Sequence, residues 1–252
     1  MADAVEKPRR SSPYGSRVLL ANLVVVLGFA GVLVFFAFLV SRNSSDRPWS
    51  AYKPKGGDVY QRAQKLVDHV STQYRYQGAP IAIVQAQPLI YRSSVVDGVA
   101  LLKPPLRQVG IPQYPDFEPA GSIMTFVFCG QAAKCSLPQA SAPEVGPLLQ
   151  RESLELALYT FKYWPDVRSI VSLLPAAQGQ NAAVFLRRSN VQKFLDRPLQ
   201  ATLPFHRELS AESMTEAELA TINRVVVKNT YASRFEQVPN GGTLLLLNVG
   251  NG

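Results

Sequence analysis

Residues 18–40 read VLLANLVVVLGFAGVLVFFAFLV, an apolar stretch that determines the architecture of the whole chain. Asn22 is its only conventional polar side chain, and Arg17 and Arg42 lie close to its two ends. A helix of these 23 residues is roughly 34 Å long at about 1.5 Å per residue, which is enough to cross a hydrocarbon core of about 30 Å. The sequence therefore predicts a single transmembrane helix.

A cleaved signal peptide is the alternative interpretation of the same stretch, because it too is an apolar run that follows positive charge. Its apolar core would span about 7 to 15 residues and would end in a small-x-small cleavage site. The run observed is longer, and residues 38–42, FLVSR, contain no such site. We therefore expect the helix to be retained as a membrane anchor, with the lipid bilayer as its first partner.

The basic residues that flank the helix give little indication of its orientation. Residues 1–17 contain four Lys and Arg side chains, and four more follow the helix at positions 42, 47, 53 and 55. The positive-inside rule therefore does not discriminate between the two orientations. Because a tail of 17 residues is small and long domains translocate largely regardless of charge, we expect a single-pass cell-membrane protein with a cytoplasmic tail and an external C-terminal domain.

Composition divides the remainder into a stalk and a domain. Residues 41–57 are rich in Ser, Pro, Gly and Lys, which predicts a flexible stalk with Trp49 and Tyr52 at the headgroup level. Residues 58–252 are long enough to enclose a sizeable core. The net charge of +8 is dispersed over the chain. Because no basic stripe is interleaved with aromatic residues, nucleic-acid binding is not expected.

Residues 58–252 alternate between helical and strand patterns. Apolar spacing predicts helices from an Asp58 N-cap to about Tyr76 and over residues 147–164. Ser189 is predicted to cap a short helix that reaches Leu195, and the spacing of Thr215 and Glu218 predicts a capping box and a helix towards Val225. Strands are predicted over residues 81–86, 89–96, 99–103, 123–128, 168–174, 182–187, 231–237 and 243–249.

Turn signals complete the predicted fold. Asp97-Gly98 and Asn240-Gly241 each lie between two strand patterns and favour hairpin turns. Strands joined by short turns pair antiparallel, while helices cover a face of the sheet. The sequence therefore predicts an α+β domain after the N-terminal transmembrane helix, with a largely antiparallel sheet covered by about three helices.

Cys129 and Cys135 are the only two cysteines of the chain. They follow a buried-type strand and are separated by GQAAK, a short segment that allows them to meet. We expect them to form a disulfide, which persists only in oxidising surroundings and so agrees with an external domain.

Residues 104–120 form a second unusual segment, with five prolines and the apolar residues Ile111, Tyr114 and Phe117 between them. A proline-stiffened loop loses little entropy when it docks, so these three residues are the predicted partner interface. The alternative is a long connection whose apolar side chains cover the edge of the core.

Residues that carry out catalysis are not evident. The chain has only two histidines, His69 and His206, and no G-x-S-x-G elbow or glycine-rich phosphate loop. The cysteine and histidine spacing does not match a structural zinc site. We therefore predict no catalytic, cofactor-binding or metal-binding residue, and the sequence favours a protein that is not an enzyme.

Three functions remain open at this point. The favoured one is a membrane-anchored extracytoplasmic binding or assembly protein, an accessory subunit of an envelope complex with a protein partner. The alternatives are a small-ligand sensor that acts through a membrane partner and an anchored hydrolase. An apolar groove, an enclosed polar pocket or a serine or carboxylate close to a histidine would favour docking, sensing or catalysis, respectively.

Overall fold

The computed structural model describes residues 48–102, 116–129, 145–177, 180–239 and 241–248. The predicted transmembrane helix at residues 18–40 lies outside these ranges. Trp49–Gly252 form one compact unit, which begins earlier than position 58, where the sequence placed the start of the domain. Within the described ranges, no helix is long and apolar enough to cross a bilayer.

The described residues contain four α-helices and twelve strands. The helices are α1 Val59–Val70, α2 Val145–Tyr163, α3 Arg188–Leu195 and α4 Glu216–Val225. The strands are β1 Arg75–Tyr76, β2 Ala79–Pro80, β3 Ile83–Gln87, β4 Ile90–Tyr91, β5 Ser94–Val95, β6 Gly98–Leu102, β7 Phe117–Pro119, β8 Ile123–Cys129, β9 Ser169–Ala177, β10 Gln180–Arg187, β11 Thr230–Gln237 and β12 Thr243–Asn248.

Eight of these strands form one mixed sheet in the order β3-β8-β9-β10-β11-β12-β6-β7. The β8–β9 and β12–β6 pairs are parallel, and the other neighbours are antiparallel. The parallel β8–β9 pair follows from the long connection that contains α2, because parallel strands need a crossover. The predicted α+β class is confirmed.

The core lies on both faces of this sheet. On one face, alternate strand residues pack against the helices, and this cluster includes Val84, Phe126, Ile170, Val184, Leu66, Leu156 and Ile222. On the other face, strand residues pack against the segment around the β4–β5 hairpin, and this cluster includes Val99, Val171, Phe185, Leu245, Leu89 and Val96. The strands between the two layers therefore have apolar side chains on both faces, as the pattern IMTFVF predicts for β8.

The first helix begins as predicted and ends earlier. Asp58 is its N-cap, and an oxygen of its carboxylate accepts a hydrogen bond from the backbone N–H of Gln61 at 2.9 Å. The α-helix ends at Val70 and is followed by a 3₁₀ turn, Ser71–Gln73. Tyr74 then leaves the helical region of the backbone, with φ −93° and ψ 89°. The predicted end near Tyr76 is therefore wrong, since Arg75–Tyr76 form β1.

The predicted hairpin turn at Asp97-Gly98 is also wrong. The turn of this region lies at Arg92 and Ser93, whose φ values of 48° and 69° connect β4 to β5. Gly98 instead begins β6, where an added Cβ would lie 2.4 Å from the ring of Phe117. The glycine is required for this close approach of β7 and not for a turn.

Two capping predictions have different outcomes. The side chain of Thr215 accepts from the backbone N–H of Glu218 at 3.2 Å, so the N-terminus of α4 is confirmed. The carboxylate of Glu218 points into the core instead of completing the box. The Ser189 cap is wrong: α3 begins at Arg188, and the side chain of Asn190 accepts from the backbone N–H of Arg187 at 2.7 Å.

Candidate functional site

Only part of the predicted site residues falls within the described ranges. Phe117 lies on β7 and is 45% exposed, while Ile111 and Tyr114 lie outside the described residues. Cys129 ends β8, and Cys135 lies outside as well. The partner interface and the disulfide therefore stay predictions.

Trp49 and Tyr52 contact the folded unit, where the sequence had placed them at the membrane surface. The ring of Trp49 packs edge-on against Tyr159, with 5.3 Å between ring centroids. Tyr52 stacks on His69 at 3.8 Å with an interplanar angle of 12°. His69 is thereby part of an aromatic cluster with Tyr52 and Tyr159.

A groove of about 600 Å³ runs between α1 and β3. Among the described strands, β3 forms one edge of the eight-stranded sheet. Ile83 on this strand is 48% exposed, although it is a large apolar side chain. The lining combines apolar, amide, hydroxyl and charged side chains, and it includes Gln64, Val67, Asp68, Thr72, Arg75, Pro80, Ile83 and Gln85. The groove is therefore an open channel along a strand edge.

The side-chain amide of Gln64, from α1, is hydrogen-bonded to the outer edge of β3. Its Nε2 donates to the backbone oxygen of Val84 at 3.3 Å, and its Oε1 accepts from the backbone N–H of Ala86 at 3.0 Å. In a parallel ladder, a neighbouring residue would bond with these same two groups on either side of Gln85. The amide of Gln64 thus supplies the donor and the acceptor that one residue of an added strand would supply.

A buried polar cluster lies behind α1 and centres on Arg151, which is 2% exposed. Its Nε is 2.5 Å from Oε1 of Glu218, and its Nη1 donates to the Tyr74 hydroxyl at 2.6 Å and to Oε2 of Glu155 at 3.3 Å. Its Nη2 donates to the backbone oxygen of Pro204 at 2.8 Å. The guanidinium is therefore bound on all three nitrogens, as a buried charge requires.

Burial shifts the ionisation of the groups around Arg151. Burial alone would lower the pKa of Arg151, but Tyr74, Glu155 and Glu218 raise it overall. Burial raises the pKa of Glu155, with Arg151, Tyr74 and Gln73 acting in the opposite direction. Burial raises the pKa of Glu152 to about 8, although the Ser71 hydroxyl donates to Oε1 of Glu152 at 2.5 Å and opposes this shift.

A cavity of about 450 Å³ opens next to this cluster. Aromatic side chains form much of its wall, and its polar groups include those of Glu155, Gln73 and Arg151. The lining also includes Tyr52, His69, Tyr159, Phe205, Ser50, Thr72, Leu199, Gln200 and Leu203. Phe205, which also lines the cavity, is 74% exposed.

The second histidine lies close to a carboxylate. Nε2 of His206 is 2.9 Å from Oε2 of Glu218, whose side chain is fully buried and also bonded to Arg151. Within the described residues, no hydroxyl or thiol is hydrogen-bonded to His206, so a triad is not assembled there. The same residues contain no group of three or more His, Cys, Asp and Glu side chains placed to hold a metal ion.

Comparisons with protein-family models, curated proteins and solved structures return no match. Function has to be argued from the two sites alone.

Sequence reasoning missed the residues that build both sites. Arg151 and Glu155 are an i, i+4 pair in a helix that is otherwise largely apolar, and this spacing was a usable signal for a buried ion pair. Gln64 gave no comparable signal, because a glutamine on an amphipathic helix is ordinarily a solvated residue.

Proposed function

We propose that this chain is a membrane-anchored extracytoplasmic assembly protein that binds a partner polypeptide by strand addition to β3. Residues 18–40 would hold the domain at the bilayer, with residues 1–17 in the cytoplasm. The observation that carries the proposal is the Gln64 amide, which bonds to the groups that an added strand would use. Strand addition takes its affinity from main-chain hydrogen bonds and its specificity from alternate side chains.

The groove fits an extended peptide. It follows the five residues of β3, and α1 forms its opposite wall. Ile83 and Gln85 are exposed on this strand, while Val84 faces the core. An added strand therefore finds one apolar and one amide side chain beside the Val84 carbonyl and the Ala86 N–H, which become available once the amide of Gln64 rotates away.

The Gln64 amide explains why such a surface is compatible with a stable protein. A bare edge presents unpaired N–H and C=O groups that pair with any other strand, which leads to aggregation. A side-chain amide satisfies these groups in the absence of a partner and requires only a rotamer change to release them. Peptide binding then replaces two hydrogen bonds with a longer series.

The experiment is a selection of phage-displayed heptapeptides on the full chain in lipid nanodiscs, with Ala86→Pro as the counter-selection. The N–H of Ala86 points to the groove, so a proline there removes that donor and obstructs an incoming strand while β8 pairing is kept. Selected peptides should lose at least about tenfold in affinity, or about 1.4 kcal/mol, on Ala86→Pro.

Two further variants make the selection decisive. Gln64→Ala should strengthen peptide binding, because the competing amide is gone. Gln61→Ala, on the exposed face of the same helix, should leave binding unchanged. Peptides that bind wild type and Ala86→Pro equally, or a selection that enriches no sequence over the Ala86→Pro background, would contradict strand addition.

The predicted interface in residues 104–120 is a second candidate surface for the same function. Phe117 supports it, because this ring is 45% exposed on β7. If it anchors a partner, Phe117→Ala should weaken partner binding and leave the melting temperature unchanged. A lowered melting temperature with unchanged binding would assign the ring to the packing over Gly98 instead.

The anchor and its orientation are tested separately from binding. Protease added to intact cells or spheroplasts should digest the domain if it is external. Protection that ends only on lysis would reverse the orientation, without bearing on whether β3 accepts a strand.

A ligand sensor that acts through a membrane partner is the second candidate function. The cavity beside Glu155 is the observation that favours it. The histidine–carboxylate pair gives less support to a hydrolase, since Glu218 is committed to Arg151.

A further inference from the structure

The cavity lined by Tyr52, Tyr159 and Phe205 has no role in strand addition, and its chemistry indicates a ligand of its own. We propose that it binds a small organic cation, an ammonium or guanidinium compound, with the carboxylate of Glu155 as the counter-charge. The volume of about 450 Å³ falls in the range of about 300 to 1,000 Å³ that small-molecule sites occupy.

The charge of the cluster beside the cavity favours a cation. One guanidinium, that of Arg151, is shared between the carboxylates of Glu155 and Glu218. Glu155 lines the cavity and Glu218 does not. His206 contacts Glu218 and does not line the cavity. Glu155 therefore receives only part of the positive charge of Arg151, because Arg151 also pairs with Glu218. A cationic ligand would supply the rest.

Glu155 also has an acceptor position to offer. Its Oε2 accepts hydrogen bonds from Tyr74, Gln73 and Arg151. Within the described residues, its Oε1 accepts one hydrogen bond, from Gln73 Nε2 at 3.0 Å. A carboxylate oxygen has two lone pairs, so Oε1 retains one. Glu155 is only 6% exposed, and burial strengthens the interaction of its carboxylate with a ligand that enters the cavity.

Arg151 lines the same cavity and raises the opposite possibility, an anion. Its three nitrogens are already directed at Glu218, Tyr74, Glu155 and the Pro204 carbonyl. An anionic ligand would have to displace Glu155 and would leave that carboxylate buried without its cation, which costs several kcal/mol in general. The guanidinium thus positions Glu155 and is not itself a free binding group.

The aromatic side chains suit the same ligand class. Tyr52, Tyr159 and Phe205 line the cavity, and aromatic rings attract organic cations through their quadrupoles. Phe205 is 74% exposed. A bound cation with an apolar body would cover part of this ring and so account for its position.

The test compares benzylammonium, benzyl alcohol and benzoate, which share one ring and differ in charge. The full chain is titrated in nanodiscs with each compound to about 50 mM, a limit that detects binding as weak as millimolar. NMR signals of the Gln73 side-chain amide and the Phe205 backbone amide report on the cavity itself. Benzylammonium should shift both signals saturably and bind at least about tenfold more tightly than benzyl alcohol.

Two variants separate the charge from the ring. Glu155→Gln should abolish the preference for benzylammonium over benzyl alcohol. Phe205→Ala, which removes an exposed side chain and leaves the fold in place, should lower the affinity for benzylammonium about threefold or more. This variant also tests the proposal if Glu155→Gln does not fold. Tighter binding of benzoate, equal binding of the alcohol, unchanged binding in Phe205→Ala, or no saturable shift would overturn the proposal. Each of these results is independent of peptide binding at β3.

Discussion

The two edges of the sheet are closed by different chemistry. At one edge, β7 has three residues, ends in Pro119, and has Glu118 and the neighbouring Asp116 bonded to Arg187. At the other edge, β3 has five residues and is covered by the neutral amide of Gln64. A short strand, a proline and charges are devices that prevent further strand pairing. Proline and charged residues in the sequence therefore block further pairing at β7. At β3, one side-chain rotamer of Gln64 blocks it.

Under the proposed strand addition, this difference favours β3 over β7 as the edge that receives a partner strand. Proline lacks the N–H that a ladder uses, and Asp116 and Glu118 next to it and on β7 are held in ion pairs with Arg187. The Gln64 amide preserves the geometry of a ladder and is removed by rotation about side-chain bonds. Conditions or substitutions that act on one edge should therefore leave the other intact, and the following predictions test this independence in order of expected effect.

The largest effect on stability is expected for Glu152 on α2, which accepts a hydrogen bond from Ser71 at the end of α1. Its pKa is about 8 in the folded protein against 4.5 for the unfolded value. The folded state therefore keeps a proton that the unfolded state releases. The resulting stability is fully present below pH 4.5 and is lost as the pH rises through 8.

We expect the free energy of unfolding to fall by on the order of 1 kcal/mol per pH unit between these limits. Urea unfolding at several pH values measures it, and Glu152→Gln should flatten the slope. Part of the slope should remain, because burial also raises the pKa of Glu155. Glu236→Gln, at an exposed carboxylate, is the control, and an identical slope in wild type and Glu152→Gln would show that this group does not titrate as described.

The next effect tests the β7 edge. An added Cβ at Gly98 would lie 2.4 Å from the Phe117 ring and 2.5 Å from the backbone oxygen of Glu118. Gly98→Val should therefore push β7 away from β6 and cost about 1–3 kcal/mol. Gly121→Ala is the matched control, since nothing lies within 4 Å of its added Cβ. If Gly98→Val unfolds no more easily than this control, the packing of β7 on β6 is looser than described.

Much of the fold follows from local sequence signals. The apolar run of β8, the long helix α2 and the β11–β12 hairpin were predictable, because periodicity and turn residues act within each element. Asp97-Gly98 was misleading, since the same dipeptide serves a turn or a close strand approach. The choice depends on Phe117, which is distant in sequence.

The sites were not predictable for a related reason. Gln64, Ala86, Glu155 and Phe205 acquire their roles only through contacts between separate elements. Trp49 and Tyr52 occur in a segment whose composition is that of a stalk, yet both rings pack on α1 and α2 residues. Composition describes a segment by itself and contains no information on the aromatic surface that receives it.

A smaller effect tests the β3 edge directly. Gln64→Ala removes the partners of the Val84 carbonyl and the Ala86 N–H, which we expect to cost about 1–2 kcal/mol. Hydrogen exchange at the Ala86 amide should accelerate, and self-association should increase as the edge opens. Sedimentation and exchange NMR measure the two effects, with Gln61→Ala as the control on the same helix. Unchanged exchange at Ala86 would mean that Gln64 does not protect this edge.

The smallest effect is expected for Arg187, which bonds Asp116 and Glu118 beside β7 while remaining 34% exposed. Exposed ion pairs contribute only about 0.2–1 kcal/mol, so Arg187→Ala should change the free energy of unfolding by no more than this. The backbone oxygen of Asp116 accepts from the Leu101 N–H at 3.0 Å, and exchange at that amide should rise when the ion pair between Arg187 and Asp116 is lost. The difference from wild type should shrink in high salt, because screening weakens exposed pairs.

Exchange at Ala86, on the opposite edge of the sheet, should not change. A faster Ala86 amide in Arg187→Ala would show that the two edges are coupled through the sheet, and the assignment of strand addition to β3 alone would then be wrong.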